Sequence, residues 1–318
     1  MTAPSSTPAP EVDLAAVDPA GERAVEGRST WQLAWMRLRK DRAAVASAVV
    51  ILIIVLVAIF APVFANLTGH GVNQQFRTTG LNTYGQPRSP NGTFLLGTDD
   101  LGRDILVRLA YGARISLYVG VVATLATVAI GAVLGLMAGY LGGIVDSIIA
   151  RLVDLVLSLP FLLFAISLVS VTHPGLLVVI VVIAVFGWAA VARIVRGQVL
   201  SIREKEYIEA ARSLGASSWR IMFVDVLPNV TAQLIVYATL LIPVSIVAEA
   251  SLSFLGLGIP PPTADWGQML AEVDNQDLYQ QAWWFLVFPG VALVITTLAF
   301  NILGDGVRDA LDPRFERL

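Results

Sequence analysis

The chain has 318 residues, of which 56% are hydrophobic and 14% charged, with a mean hydropathy of +0.73. A soluble domain carries about 25% charged residues, so this composition excludes an ordinary soluble enzyme and describes an integral membrane protein. Cysteine is absent, which excludes disulfide and thiol chemistry, and His70 and His173 are too far apart in sequence to suggest a zinc site. The net charge of −3 decides little, because the distribution of basic residues matters more than their sum.

The apolar runs are long and uninterrupted, which favours spanning helices over the alternating strands of a membrane barrel. Residues 1–30 are rich in Ala, Pro, Ser and acidic residues and predict a disordered cytoplasmic tail. No apolar core follows a basic start there, as it would in a signal peptide. Over residues 31–42, Trp31, Trp35 and Leu38 share one helical face beside Arg37, Arg39, Lys40 and Arg42. That pattern predicts an amphipathic helix on the membrane surface, either an elbow for the first span or a basic anchor.

Residues 43–64 carry no charge. Their length at 1.5 Å per residue gives about 33 Å, enough to cross a ~30 Å hydrocarbon core. Residues 65–114 predict an extracytoplasmic loop, in which Asp104 and Arg108 stand four apart and are expected to pair. Residues 115–308 predict a five-helix core. Its first span, 115–140, carries Gly131, Gly135 and Gly139 as a stripe for close helix approach, in preference to glycines merely tolerated by lipid. The next, 146–171, is expected to kink at Pro160 and to pair Arg151 with Asp154. A turn at 172–175 leads to a span over 176–191, and a further span runs from 229 to 258 with Glu249 inside it and no basic neighbour. The prolines of 259–267 open a second outer loop, Trp283 and Trp284 mark an interface, and 285–303 forms the last span before a cytoplasmic C-terminus, 309–318. With both termini inside, sixteen Lys and Arg fall on the cytoplasmic side and five outside, which supports six spans.

The segment 204–228 stands apart. Six basic residues lie in or just before it: Arg193, Arg196, Arg203, Lys205, Arg212 and Arg220. Glu209, Ala210 and Ala211 favour helix, Gly215 interrupts it, and Leu214, Trp219, Ile221 and Phe223 are apolar without a spanning role. This predicts a cytoplasmic surface helix that docks into another protein. The chain has no phosphate-binding Gly-x-x-x-x-Gly-Lys-Ser/Thr loop, no His-Glu-x-x-His and no Gly-x-Ser-x-Gly, so it is read as non-catalytic. Asp154 near the inner edge and Glu249 toward the outer half do not make a facing aspartyl pair. Glu249 either faces a water-filled path or bonds to a neighbouring helix, because an unpaired carboxylate against lipid is costly.

Glu209-Ala-Ala211, Gly215 and Leu227-Pro228 fall at the spacing of the EAA motif, and here the chain resembles the permeases of ABC importers. Glu206-Tyr-Ile-Glu-Ala-Ala-Arg-Ser-Leu-Gly-Ala216, Leu96-Gly-Thr-Asp-Asp-Leu-Gly-Arg-Asp104, Ala250-Ser-Leu-Ser-Phe-Leu-Gly-Leu-Gly258, Pro261-Pro-Thr-Ala-Asp-Trp-Gly267 and the run from Asn301 to Arg314 resemble the C-type subunit of dipeptide and oligopeptide importers. Asp225 departs from the apolar residue common at that place in the general motif. The resemblance implies an all-α, six-span, type I importer (MetI-like) permease fold in a bacterial cytoplasmic membrane. It implies a homologous second permease subunit, two ATPase subunits that carry ATP and Mg, an extracytoplasmic binding protein and a peptide substrate, with no cofactor or metal on this chain and no nucleic acid. It makes Glu209, Ala210, Ala211, Leu214, Gly215, Trp219 and Phe223 the coupling residues, with packing of Trp219 and Phe223 under this subunit's own membrane surface as the alternative. Nickel, glutathione and antimicrobial-peptide importers share the same subunit type. A membrane scaffold or receptor that signals through the same helix, and a passive channel, are the competing classes.

Overall fold

The computed structural model describes residues 30–274 and 278–312, and these are helical or irregular apart from isolated bridges at Leu81–Pro87 and Thr98–Asp104. The expected tail, apart from Thr30, and residues 313–318 lie outside the described residues.

Helix α1 (Thr30–Lys40) leaves Trp31 and Trp35 about half exposed, with the Arg39 guanidinium 4.8 Å over the Trp35 ring. Asp41 then caps α2 (Arg42–Ile59), its carboxylate accepting from the Ala43 and Ala44 amides at 2.8 and 3.2 Å. The first span is shorter than residues 43–64. The helix ends at Phe60, and Pro62 starts a separate helix, α3 (Ala61–Thr68), because proline has no amide to continue the preceding ladder.

Helix α4 (Ile105–Leu141) begins ten residues before the expected 115, so residues 105–114 are not loop. Asp104 caps it, accepting from the Leu106 amide at 2.8 Å. Arg108 and Arg114 suggested an aqueous segment, but both find protein partners. Arg114 donates to the carbonyls of Ala58 and Ile59, which the end of α2 leaves open. Asp104 and Arg108 do not pair. Asp104 meets His70 Nδ1 at 2.6 Å, and Arg108 reaches Glu272.

The glycine stripe of α4 receives α7 (Leu176–Ile202), which continues well past the expected end at 191. A Cβ on Gly131, Gly135 or Gly139 would stand 2.6, 2.7 or 2.6 Å from the Cβ of Val191, Val195 or Val199. The stripe therefore serves close packing. Between these helices the chain forms α5 (Gly143–Ser158) and α6 (Phe161–Thr172), which meet at an angle of 93° around Pro160. The expected Arg151–Asp154 pair does not form. Asp154 takes Arg193 at 2.5 Å, and Asp146 takes Arg196, because α7 brings two guanidiniums alongside α5.

After α8 (Glu206–Ser213) and the short α9 (Ser218–Arg220), a π-helical turn over Ile221–Val226 runs directly into α10 (Leu227–Phe254). The loop after α10 contains α11 (Trp266–Asp274) and returns to α12 (Trp283–Leu311). Among the described residues, five helices are long and apolar enough to cross a membrane, and a sixth span forms if α5 and α6 count as one broken crossing.

Candidate functional site

The segment 204–228 forms a helix, a left-handed turn and a second helical entry. Ile208 is fully buried among Leu136, Val199 and Ile202 and anchors α8 to the bundle. Glu209 and Ala210 are exposed and Ala211 is half-buried. The amides of Leu214 and Ala216 close the helix on the carbonyls of Ala210 and Ala211 at 3.0 and 3.1 Å, which places Gly215 at φ +81°, a conformation that favours glycine. Leu214 is 88% exposed at this turn.

Ser217 then caps the next turn by accepting from the Arg220 amide at 3.3 Å. Trp219 and Phe223 stack with ring centroids 5.3 Å apart, and they are 60% and 37% exposed. Ile221, Met222 and Val226 are buried beneath them. Proline clashes with the carbonyl four residues back, so the widened π turn just before Pro228 eases its entry. Turns of this kind often sit at functional sites. Beside α8 lies a polar cleft of about 480 Å³, lined by Tyr140, Arg203, Glu204, Glu209, Arg212 and Ser218. The Arg212 guanidinium stands 5.7 Å over the Tyr140 ring.

Glu249 lies far along α10, fully buried within this subunit. Its Oε1 accepts from Ser253 Oγ at 3.1 Å. Near it the segment leading into α4 and the loop that carries α11 are tied by charge. Arg108 is fully buried, with Nη2 at 3.2 Å from both Glu272 oxygens and Nε at 3.3 Å from Asp99 Oδ2. Arg103 reaches Asp99 at 2.5 Å and Glu272 at 3.0 Å. Burial pushes the Asp99 and Glu272 carboxyls up, against the pull of the two guanidiniums. Trp266 Nε1 donates to the Leu109 carbonyl at 3.1 Å, and Trp284 Nε1 to that of Thr98 at 3.2 Å. Trp284, expected at an interface, is thus buried, while Trp283 is exposed. This network escaped the sequence reading because its partners are separated by 164 residues or more in Arg108–Glu272 and Arg103–Glu272.

Removing one member of such a network strands its partner. Arg108→Ala should lower stability by about 3–5 kcal/mol. Thermal unfolding in detergent measures this, and Arg108→Met/Glu272→Gln should recover part of the loss.

Among the described residues, a helical bundle with five or six candidate spans, inter-helix loops tied by charge and an exposed, partly aromatic segment defines a multi-pass membrane protein. The chain belongs to the binding-protein-dependent transport system inner membrane component family, whose model matches residues 131–317. A second family model, the N-terminal TM domain of oligopeptide transport permease C, matches residues 29–82 and places the chain in the C-type branch of these permeases. It is 44% identical over 286 residues to the dipeptide transport system permease protein DppC of Bacillus subtilis (strain 168), covering 90% of this chain and 86% of that one. The oligopeptide transport system permease protein OppC of the same organism is 40% identical, with 91% of each chain covered. The glutathione transport system permease protein GsiD of Pectobacterium atrosepticum is 39% identical, covering 91% of this chain and 93% of that one.

Proposed function

We propose that this chain is a permease subunit of an ATP-driven importer that moves di- or oligopeptides across the bacterial cytoplasmic membrane. In this reading it works beside a homologous permease, two ATPase subunits carrying ATP and Mg, and an extracytoplasmic binding protein. Both termini and the segment 204–228 face the cytoplasm, in line with the excess of basic residues on that side. The peptide assignment is supported by the relatives named for dipeptide and oligopeptide transport. A cavity of about 500 Å³ between α7, α10 and α12, where Gln198, Gln233, Tyr237 and Arg308 stand among apolar residues such as Val236 and Leu240, supports an inner mouth of the path there. Glu249, proposed for the pathway from sequence, is fully buried within this subunit and does not line that cavity.

The observation that carries the reading is the exposed edge of Leu214, Trp219 and Phe223 around a left-handed Gly215. Glu209, Ala210 and Ala211 complete the docking surface, with the alanines allowing close approach. Burying each large apolar side chain in a partner groove is worth about 1.5–3 kcal/mol, or roughly a tenfold or greater change in affinity. Leu214→Asp and Trp219→Ala should therefore leave the unfolding midpoint of the solubilised subunit unchanged, while co-purifying ATPase falls tenfold or more. Wild-type recovery of ATPase with both variants would remove the segment from the coupling interface. Uptake of a defined panel of di- and oligopeptides, glutathione and nickel by the reconstituted complex tests the substrate class.

A further inference from the structure

Asp265 closes the proline-containing loop that returns from α10 to α11, and its Oδ1 caps α11 by accepting from the Gln268 amide at 2.8 Å. Its Oδ2 is buried and has no hydrogen-bond partner among the described residues. Glu249 presents the same arrangement. Its Oε1 is held by Ser253 Oγ, and its Oε2 is buried without a partner. The two carboxyl groups lie within hydrogen-bonding reach of each other. Ser116 Oγ, fully buried and without a partner of its own, is also in reach of Glu249, and Ser253 is in reach of both acids. Two acceptor oxygens buried together, with only the Ser116 and Ser253 hydroxyls in reach as donors and one of these already given to Glu249 Oε1, are costly.

The surrounding charges do not relieve them. From α4 the nearest cation is Arg108, which is engaged with Glu272 and Asp99. From the preceding loop, Arg103 is engaged with Asp99, Asp100 and Glu272. From α11, Glu272 adds negative charge and Gln268 places its own unpartnered Oε1 nearby. From α10 only the Ser253 hydroxyl approaches. A metal cation needs several oxygens with space around them, but α11 lies on α10 almost backbone to backbone. A Cβ on Gly267 would stand 2.3 Å from the Ala250 carbonyl oxygen.

We propose that Glu249 and Asp265 form a buried proton-binding site, in which one proton bridges Oε2 and Oδ2 and fastens the α11 loop to α10. The carboxylic acid of one residue donates to the carboxylate of the other, so the pair carries a single negative charge. Burial pushes the Asp265 carboxyl up. Two carboxylates this close then share one proton as a pair. The sign follows from linkage. A carboxyl raised in the folded state stabilises fully below its unfolded pKa, and that stability is lost as pH rises through its folded value.

Infrared difference spectroscopy of the assembled complex in lipid tests the site. At neutral pH the wild type should show a protonated-carboxyl band that shifts on exchange into D2O and disappears on alkalisation. Glu249→Gln and Asp265→Asn should each remove that band, because an amide replaces the shared proton as donor. The unfolding midpoint of the wild type should fall as pH rises, and each variant should flatten that slope. A wild-type spectrum without the band would overturn the proposal. So would a band that both variants keep, or one that emerges only when sodium, potassium and calcium are removed, since a cation would then occupy the site. If either variant fails to assemble, the D2O shift and alkaline loss in the wild type decide the matter, and a band insensitive to both overturns it.

Discussion

Gly135→Leu should abolish accumulation of folded permease in the membrane. A Cβ at Gly135 would stand 2.7 Å from the Ala192 carbonyl oxygen and 2.7 Å from Val195 Cβ. One neighbour is backbone and the other is a β-branched side chain with little rotamer freedom on a helix, so neither yields. Overpacking typically costs about 1–3 kcal/mol and occasionally more. Here the added side chain must separate two long helices that meet along the whole glycine stripe. Without a hydrophobic force between helices in lipid, close packing is what holds them together. Gly135→Ala should be milder but still destabilising, and Val195→Gly should rescue part of it by removing the Cβ and Cγ1 contacts at 2.7 and 2.9 Å and leaving the carbonyl contact. Gly197→Leu on α7 is the control, because nothing lies within 4 Å of its Cβ position. Membrane accumulation and the detergent unfolding midpoint report the result. Wild-type behaviour of Gly135→Leu would mean that α4 and α7 do not pack on this stripe.

That seam was legible in the sequence because small residues spaced four apart mark a close helix contact whatever the partner. The spans were legible for a similar reason, since length and hydropathy are local properties. What escaped was set by residues distant in sequence. Arg108 and Arg114 suggested water, but one is neutralised by Glu272 in the other outer loop and the other caps the end of α2. The Arg151–Asp154 spacing favoured a local pair until α7 supplied Arg193. For the segment 204–228, the order of helix, glycine and apolar residues could be read directly. The division of the apolar side chains could not. Ile221 turns inward while Trp219 and Phe223 stack outward, and a π turn that breaks ordinary helical periodicity decides which face each residue takes. The partner of Glu249 was hidden in the same way, since Asp265 lies across a turn rich in proline.

Gly215→Trp should insert and fold yet lose peptide uptake, with ATP hydrolysis no longer coupled to transport. Its φ of +81° makes any L side chain strained, at about 1–2 kcal/mol, but nothing lies within 4 Å of its Cβ position. A side chain there starts into open space, so with insertion and folding confirmed by the detergent unfolding midpoint, a large functional loss would point to a surface that another protein covers. Two smaller substitutions separate backbone from bulk. Asparagine tolerates the left-handed conformation and alanine does not. If the turn geometry carries the motion, Gly215→Asn should retain more uptake than Gly215→Ala, although its side chain is larger. If close approach of the ATPase is what matters, the order reverses and alanine is the better tolerated. Both outcomes place Gly215 in the coupling contact and differ in how it acts. Normal uptake by the tryptophan variant, with wild-type amounts of ATPase bound, would show that the ATPase does not press on this turn, and the coupling surface would then have to be sought away from Leu214 and Gly215.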